Sequence, residues 1–261
     1  MKMNKKEKLP LIILFLYPIA ASLISLYLKT NFFISILLFF AVPSLFLSII
    51  AKEHVKKTLL FSLMIGIPLS IIIDYIAHFN ETWWVTSPFF NFRILGLVPV
   101  EDLIWGVLWL YFIIMFYECF IDKHITKKLY TKNTKILVLI SLILLVLFFF
   151  ILMRTPVYLN IPYFYLISGI IIGIIPILAV LLKFPILFAK FLKAASYFFF
   201  FNLIYEITAL KLGWWEFGGG EFIGWVEILG VKFPFEELFF WMILGTIGVL
   251  SYYEFFDDDK K

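Results

Sequence analysis

Eight apolar stretches, each near the roughly 20 residues that cross a bilayer as a helix, constrain this chain more than any other feature. They run over 10–28, 32–51, 58–78, 99–120, 135–152, 163–182, 190–210 and 234–256. Only Lys29, Thr30 and Asn31 separate the first two, which makes them an antiparallel pair. Pro43, Pro68 and Pro176 fall inside stretches, where a membrane helix tolerates a kink if neighbours satisfy the freed carbonyl. Hydrophobic residues make up 63% of the chain and charged ones 15%. A water-soluble fold could not hide that much apolar surface. A cleavable signal peptide ending near Ala20-Ala21-Ser22 is a poor fit, because the first apolar run continues to Leu28.

The basic residues orient the spans. With the N-terminus inside, 17 of the 22 lysines and arginines fall on inner segments, and only Lys29, Arg93, Arg154, Lys211 and Lys232 fall outside. The positive-inside rule then places both termini in the cytoplasm, as an even number of spans requires. The expected architecture is an all-α, multi-pass cell-membrane protein of about eight transmembrane helices.

The two halves resemble each other. Pro43, Asp74, Trp83-Trp84, the segment Gly96–Leu103 with its Pro99-Val100-Glu101-Asp102, and Tyr117-Glu118 recur in order. Their counterparts are Pro176, Glu206, Trp214-Trp215, Gly230–Leu238 with Pro234-Phe235-Glu236-Glu237, and Tyr253-Glu254. The offsets stay between 131 and 136. This spacing predicts two parallel four-helix repeats: a leading helix in 1–30, a first repeat in 31–122, and a second, with its own leading helix, in 123–257. Parallel repeats put equivalent residues at equal depth. Asp74, Glu206 and both Pro-x-acid-acid motifs then lie near the outer face. Glu118 and Glu254 lie about 25 Å away near the inner one.

Two readings of the acid pairs stand. Proline and acids suit a solvated first helical turn and its dipole. Alternatively, neighbours on a helix diverge by about 100°, so one acid of each pair can face the bundle interior. Trp105 and Trp241 follow Glu101 and Glu237 by four residues and share their faces. Asp74 and Glu206 arrive at the same depth, and intramembrane acids mark functional sites.

Trp83, Trp84, Trp214, Trp215 and Trp225 suit interfacial anchoring or the lining of a cation-stabilising site. His78, one turn after Asp74, is placed to pair with it or simply to sit at the interface, whereas His54 and His124 fall in solvated inner loops. Cys119 is a small apolar filler. No cluster has metal-ligand spacing, and the residues specify no cofactor. Gly218-Gly219-Gly220 with Gly224 opens no βαβ unit and reads as a turn or lid over the outer face. No basic stripe with interleaved aromatics suits nucleic acid.

With these motifs in place, the chain resembles the small integral-membrane lycopene cyclases, whose domain occurs as two short subunits or as a tandem fusion. Their signature is a Pro-x-Glu-Glu opening a helix, preceded by an acid and a tryptophan-bearing loop and followed by a Tyr-Glu. Both halves carry it, over about 32–118 and 163–254, with Glu-Asp in the first copy and Glu206 where an aspartate is usual. The resemblance implies non-redox closure of lycopene ends to β-ionone-type rings, with a lipophilic polyene and membrane lipid as partners. By position it assigns Glu101, Asp102, Glu236 and Glu237 to catalysis, with Asp74 and Glu206 in support. On this reading Trp84, Trp105, Trp215 and Trp241 bind substrate, Glu236 or Glu237 donates the proton, and Glu101 or Asp102 serves as base or second acid. A carotenoid hydratase and a proton-coupled transporter are the rival readings.

Overall fold

The computed structural model describes residues 5–122, 131–218 and 221–257. Its helices are α1 (Lys5–Leu28), α2 (Phe32–Ile50), α3 (Val55–Phe79), α4 (Val100–Asp122), α5 (Lys132–Arg154), α6 (Phe164–Lys183), α7 (Leu187–Leu212) and a bent α8 (Glu237–Ile243 with Gly245–Phe256). Seven are long and apolar enough to cross a membrane, or eight if the bent pair counts as one span. The eight apolar stretches therefore correspond to these helices. Their outer surface is apolar: along α5, Leu142, Val146, Phe150 and Met153 are 54 to 81% exposed. Such a continuous greasy face is consistent with a multi-pass membrane protein and not with a monomer in water.

Local chemistry explains the irregular turns. In α2 and α6 the residues just before Pro43 and Pro176 form π-turns, Leu37–Ala41 and Gly169–Ile174. The amides of Val42 and Ile175 reach back five residues, to the carbonyls of Leu37 and Ile170. Proline clashes with the carbonyl four residues earlier, and a locally widened helix relieves that conflict. The eighth apolar stretch departs from a plain span: Glu237–Ile243 is π-helical and meets the rest at 43°. Gly245 stands at that bend, where a Cβ would come within 3.2 Å of the Trp109 ring.

The expectation of an all-helical chain misses six short strands in the loops. Strand β1 (Trp84–Val85) pairs antiparallel with β4 (Trp215–Glu216), tying the loop after α3 to the loop after α7. Strands β2 (Arg93–Ile94) and β3 (Val98–Pro99) form a hairpin leading into α4. Strands β5 (Trp225–Ile228) and β6 (Val231–Pro234) form one leading into α8. The two-residue turn of the latter, Leu229-Gly230, has positive φ at both positions, as a type I′ turn requires. Helices α3 and α4 pack along each other, α1 along α7, and α8 against α6 and α7. Packed rings of Phe39, Phe40, Phe112, Phe198, Phe201 and Tyr205 fill the centre.

Four expectations meet corrections or limits here. His78 does not pair with the Asp74 carboxylate; its Nδ1 donates to the Asp74 backbone carbonyl at 2.9 Å. His54 is buried, with Nδ1 at 3.3 Å from Oε2 of Glu118. His124, Gly219, Gly220 and the lysines at 2, 123, 127, 128, 260 and 261 lie outside the described residues. Gly218 lies against the Trp84 ring.

Candidate functional site

The acid pairs open α4 and α8 directly after the hairpins, and the helical turn sends the members of each pair in different directions. The first members hold loops. Glu101 Oε1 accepts the backbone amide of Phe90 at 2.8 Å, and Glu236 Oε1 accepts that of Ile223 at 2.7 Å. Both are fully buried, so neither is the solvated helix start allowed by the sequence. The second members, Asp102 and Glu237, border a cavity of about 300 Å³ lined by α3, α4, α6 and α8.

Asp74 borders the same cavity. Its Oδ1 accepts the indole N–H of Trp83 at 3.4 Å, across nine residues. Glu206, also fully buried, accepts the indole N–H of Trp215 at 3.2 Å, again across nine residues. Trp83 and Trp215 line the cavity; Glu206 stands behind its wall. The second oxygen of Glu237, Oε2, accepts the hydroxyl of Tyr165 at 2.5 Å. Asp102 is 6% exposed, and its Oδ2 has no hydrogen-bond partner among the described residues.

Indole rings make one wall. Trp105 and Trp109 stack with centroids 5.7 Å apart, and Trp241 sits 6.0 and 6.3 Å from the two. Electron-rich faces grouped in this way can stabilise a cation. Elsewhere the wall is largely hydrocarbon, with Ile65, Leu69 and Ile73 on α3 and Ile172 on α6.

Of the site residues expected from sequence, the fold therefore brings Asp74, Asp102, Glu237, Trp105, Trp215 and Trp241 to one cavity. Glu101 and Glu236 are not on its surface, and Glu206 is one layer back. Trp84 does not line the cavity: it pairs in β1 and packs on Gly218, while its neighbour Trp83 reaches the cavity. The sequence reading also missed Trp109, detectable as a second tryptophan four residues after Trp105, and Tyr165, which no motif announces.

Glu118 and Glu254 form a separate cluster. Tyr117 donates to Glu254 at 2.5 Å and Tyr253 donates to Glu118 at 2.5 Å. Neither acid borders the cavity. Among the described residues no three His, Cys, Asp or Glu side chains are grouped to hold a metal ion.

The chain matches no protein-family model, no curated protein and no solved structure.

Proposed function

We propose that this chain is a carotenoid cyclase of the lycopene-cyclase kind, a membrane enzyme made of two parallel four-helix repeats with both termini cytoplasmic. The observation that carries the reading is that Asp102 and Glu237, one from each half, border with Asp74 a single cavity lined by stacked indoles.

Matched bonds support the repeat. Asp74–Trp83 and Glu206–Trp215 share one spacing, and Glu101 and Glu236 each anchor a preceding loop. A shift of one residue separates the acid pairs, offset by 135, from Trp105/Trp241 and Tyr117/Tyr253, offset by 136. The π-helix over Glu237–Ile243 lies where that extra residue falls, and a π-turn absorbs one residue without breaking the helix.

The reaction follows from the wall chemistry. One carboxylic acid of the Asp102/Glu237 pair delivers its proton to the terminal double bond of the polyene, leaving a tertiary carbocation. A neighbouring double bond of the same chain attacks that carbon, and the new C–C bond closes a six-membered ring and leaves the positive charge on the far carbon of that double bond. The other residue, as carboxylate, removes a proton from the adjacent carbon and restores an alkene. No electrons are exchanged, and the product is an isomer of the substrate. The faces of Trp105, Trp109 and Trp241 stabilise the cation, and the hydrocarbon wall limits water that would trap it as an alcohol.

The test is expression of the chain in cells that accumulate lycopene, followed by chromatography and mass spectrometry of the pigments. A product of unchanged mass with a shorter chromophore supports cyclisation. A product heavier by one water moves the assignment to a hydratase, and unaltered lycopene contradicts both.

A further inference from the structure

The cavity is longer than the chemistry at its acidic end requires. Its wall on α3 runs from Asp74 to Phe61, about 20 Å at 1.5 Å per residue. All three bordering carboxyls, Asp74, Asp102 and Glu237, are at helix ends on one side. Phe61 and Tyr252 line the other, where the Tyr252 hydroxyl donates to the Ile172 carbonyl at 3.1 Å.

Six glycines border this space, and they divide into two kinds. A Cβ at Gly66, Gly106, Gly169 or Gly245 would come within 2.3 to 3.2 Å of a neighbouring atom, so helix packing accounts for them. A Cβ at Gly173 or Gly248 would meet nothing within 4 Å. These two face the slot from different helices, α6 and α8, and packing does not require them. What they preserve is open volume, connected at its acidic end to the buried Oδ2 of Asp102, which has no hydrogen-bond partner among the described residues.

We propose that Gly173 and Gly248 set the depth to which the slot admits an extended, acyclic hydrocarbon chain. The remainder of a long polyene then lies along α3 while its end group meets the carboxyls. The nature of the reacting end rests on the cyclase reading; the selection for chain length does not.

The test uses the full chain purified in detergent. Binding of lycopene, and of a short acyclic terpene with the same end group, is followed by quenching of tryptophan fluorescence. Gly173→Leu and Gly248→Leu are expected to weaken lycopene binding at least tenfold and to leave the short terpene unaffected. Gly173→Ala and Gly248→Ala give a smaller loss of the same kind, and they decide the question if a leucine variant does not melt like the parent protein. Undiminished lycopene binding, equal loss of both ligands, or a parent protein that binds neither would overturn the proposal. A parent protein that binds by length and leaves lycopene chemically unchanged would instead sink the cyclase reading and keep the slot.

Discussion

Tyr165 on α6 donates its hydroxyl to Oε2 of Glu237 on α8 at 2.5 Å, so one wall of the cavity fixes a carboxyl that enters from another. A hydrogen bond to a charged acceptor contributes about 1.5–3 kcal/mol. Tyr165→Phe removes it while keeping the ring that packs 5.0 Å from Trp83. Ring formation in lycopene-accumulating cells should fall about 10- to 100-fold at equal protein level. An unchanged rate would show that the tyrosine does not position the acid.

The reciprocal pairs Tyr117–Glu254 and Tyr253–Glu118 join α4 to α8 away from the cavity. Tyr117→Phe or Tyr253→Phe deprives a buried carboxyl of a donor, a change that costs about 1–3 kcal/mol. Both variants should melt at lower temperature in detergent and still form product at a permissive temperature. Lost activity with unaltered melting would place this cluster in the chemistry instead.

His54, in the link between α2 and α3, gives a pH dependence. Burial holds its pKa below the ordinary value, helped by Lys57 and opposed by Glu53 and Asp122. The folded ring stays neutral where the unfolded one, with a pKa of about 6.5, takes up a proton. Unfolding then binds protons, so stability falls as pH drops below about 6.5 and is flat above. Melting curves of the parent protein and His54→Gln should diverge at acid pH, with the parent losing more. Stabilisation of the parent by acid would mean that the contact with Glu118 dominates.

The helices were legible because their apolar runs are long. Their irregularities were not: a π-turn changes no composition, and the 43° bend near Gly245 depends on how closely Trp109 approaches. The strands have only two to four residues each, too short to display alternation. At the site, the sequence located both acid pairs and left open which member faces inward. The hydrogen bonds of Glu101 and Glu236 to loop amides separate the members. Adjacent tryptophans posed the same problem. The nine-residue spacing shared by Asp74–Trp83 and Glu206–Trp215 points to Trp83 over Trp84, but its meaning needs the indole bonds to be seen.

The division of labour within each acid pair provides the most direct test. A glutamine carbonyl can still accept the loop amide, so Glu101→Gln and Glu236→Gln should retain most of the ring-forming activity. Asp102→Asn and Glu237→Gln remove a titratable carboxyl from the cavity and should lower product at least 100-fold, the lower bound of the roughly 10²–10⁴-fold range for general acid–base groups. The four variants are to be compared side by side by pigment chromatography in lycopene-accumulating cells, at matched protein level. Silent first positions with inactive second positions is the predicted result; full product from Asp102→Asn and Glu237→Gln would contradict the account.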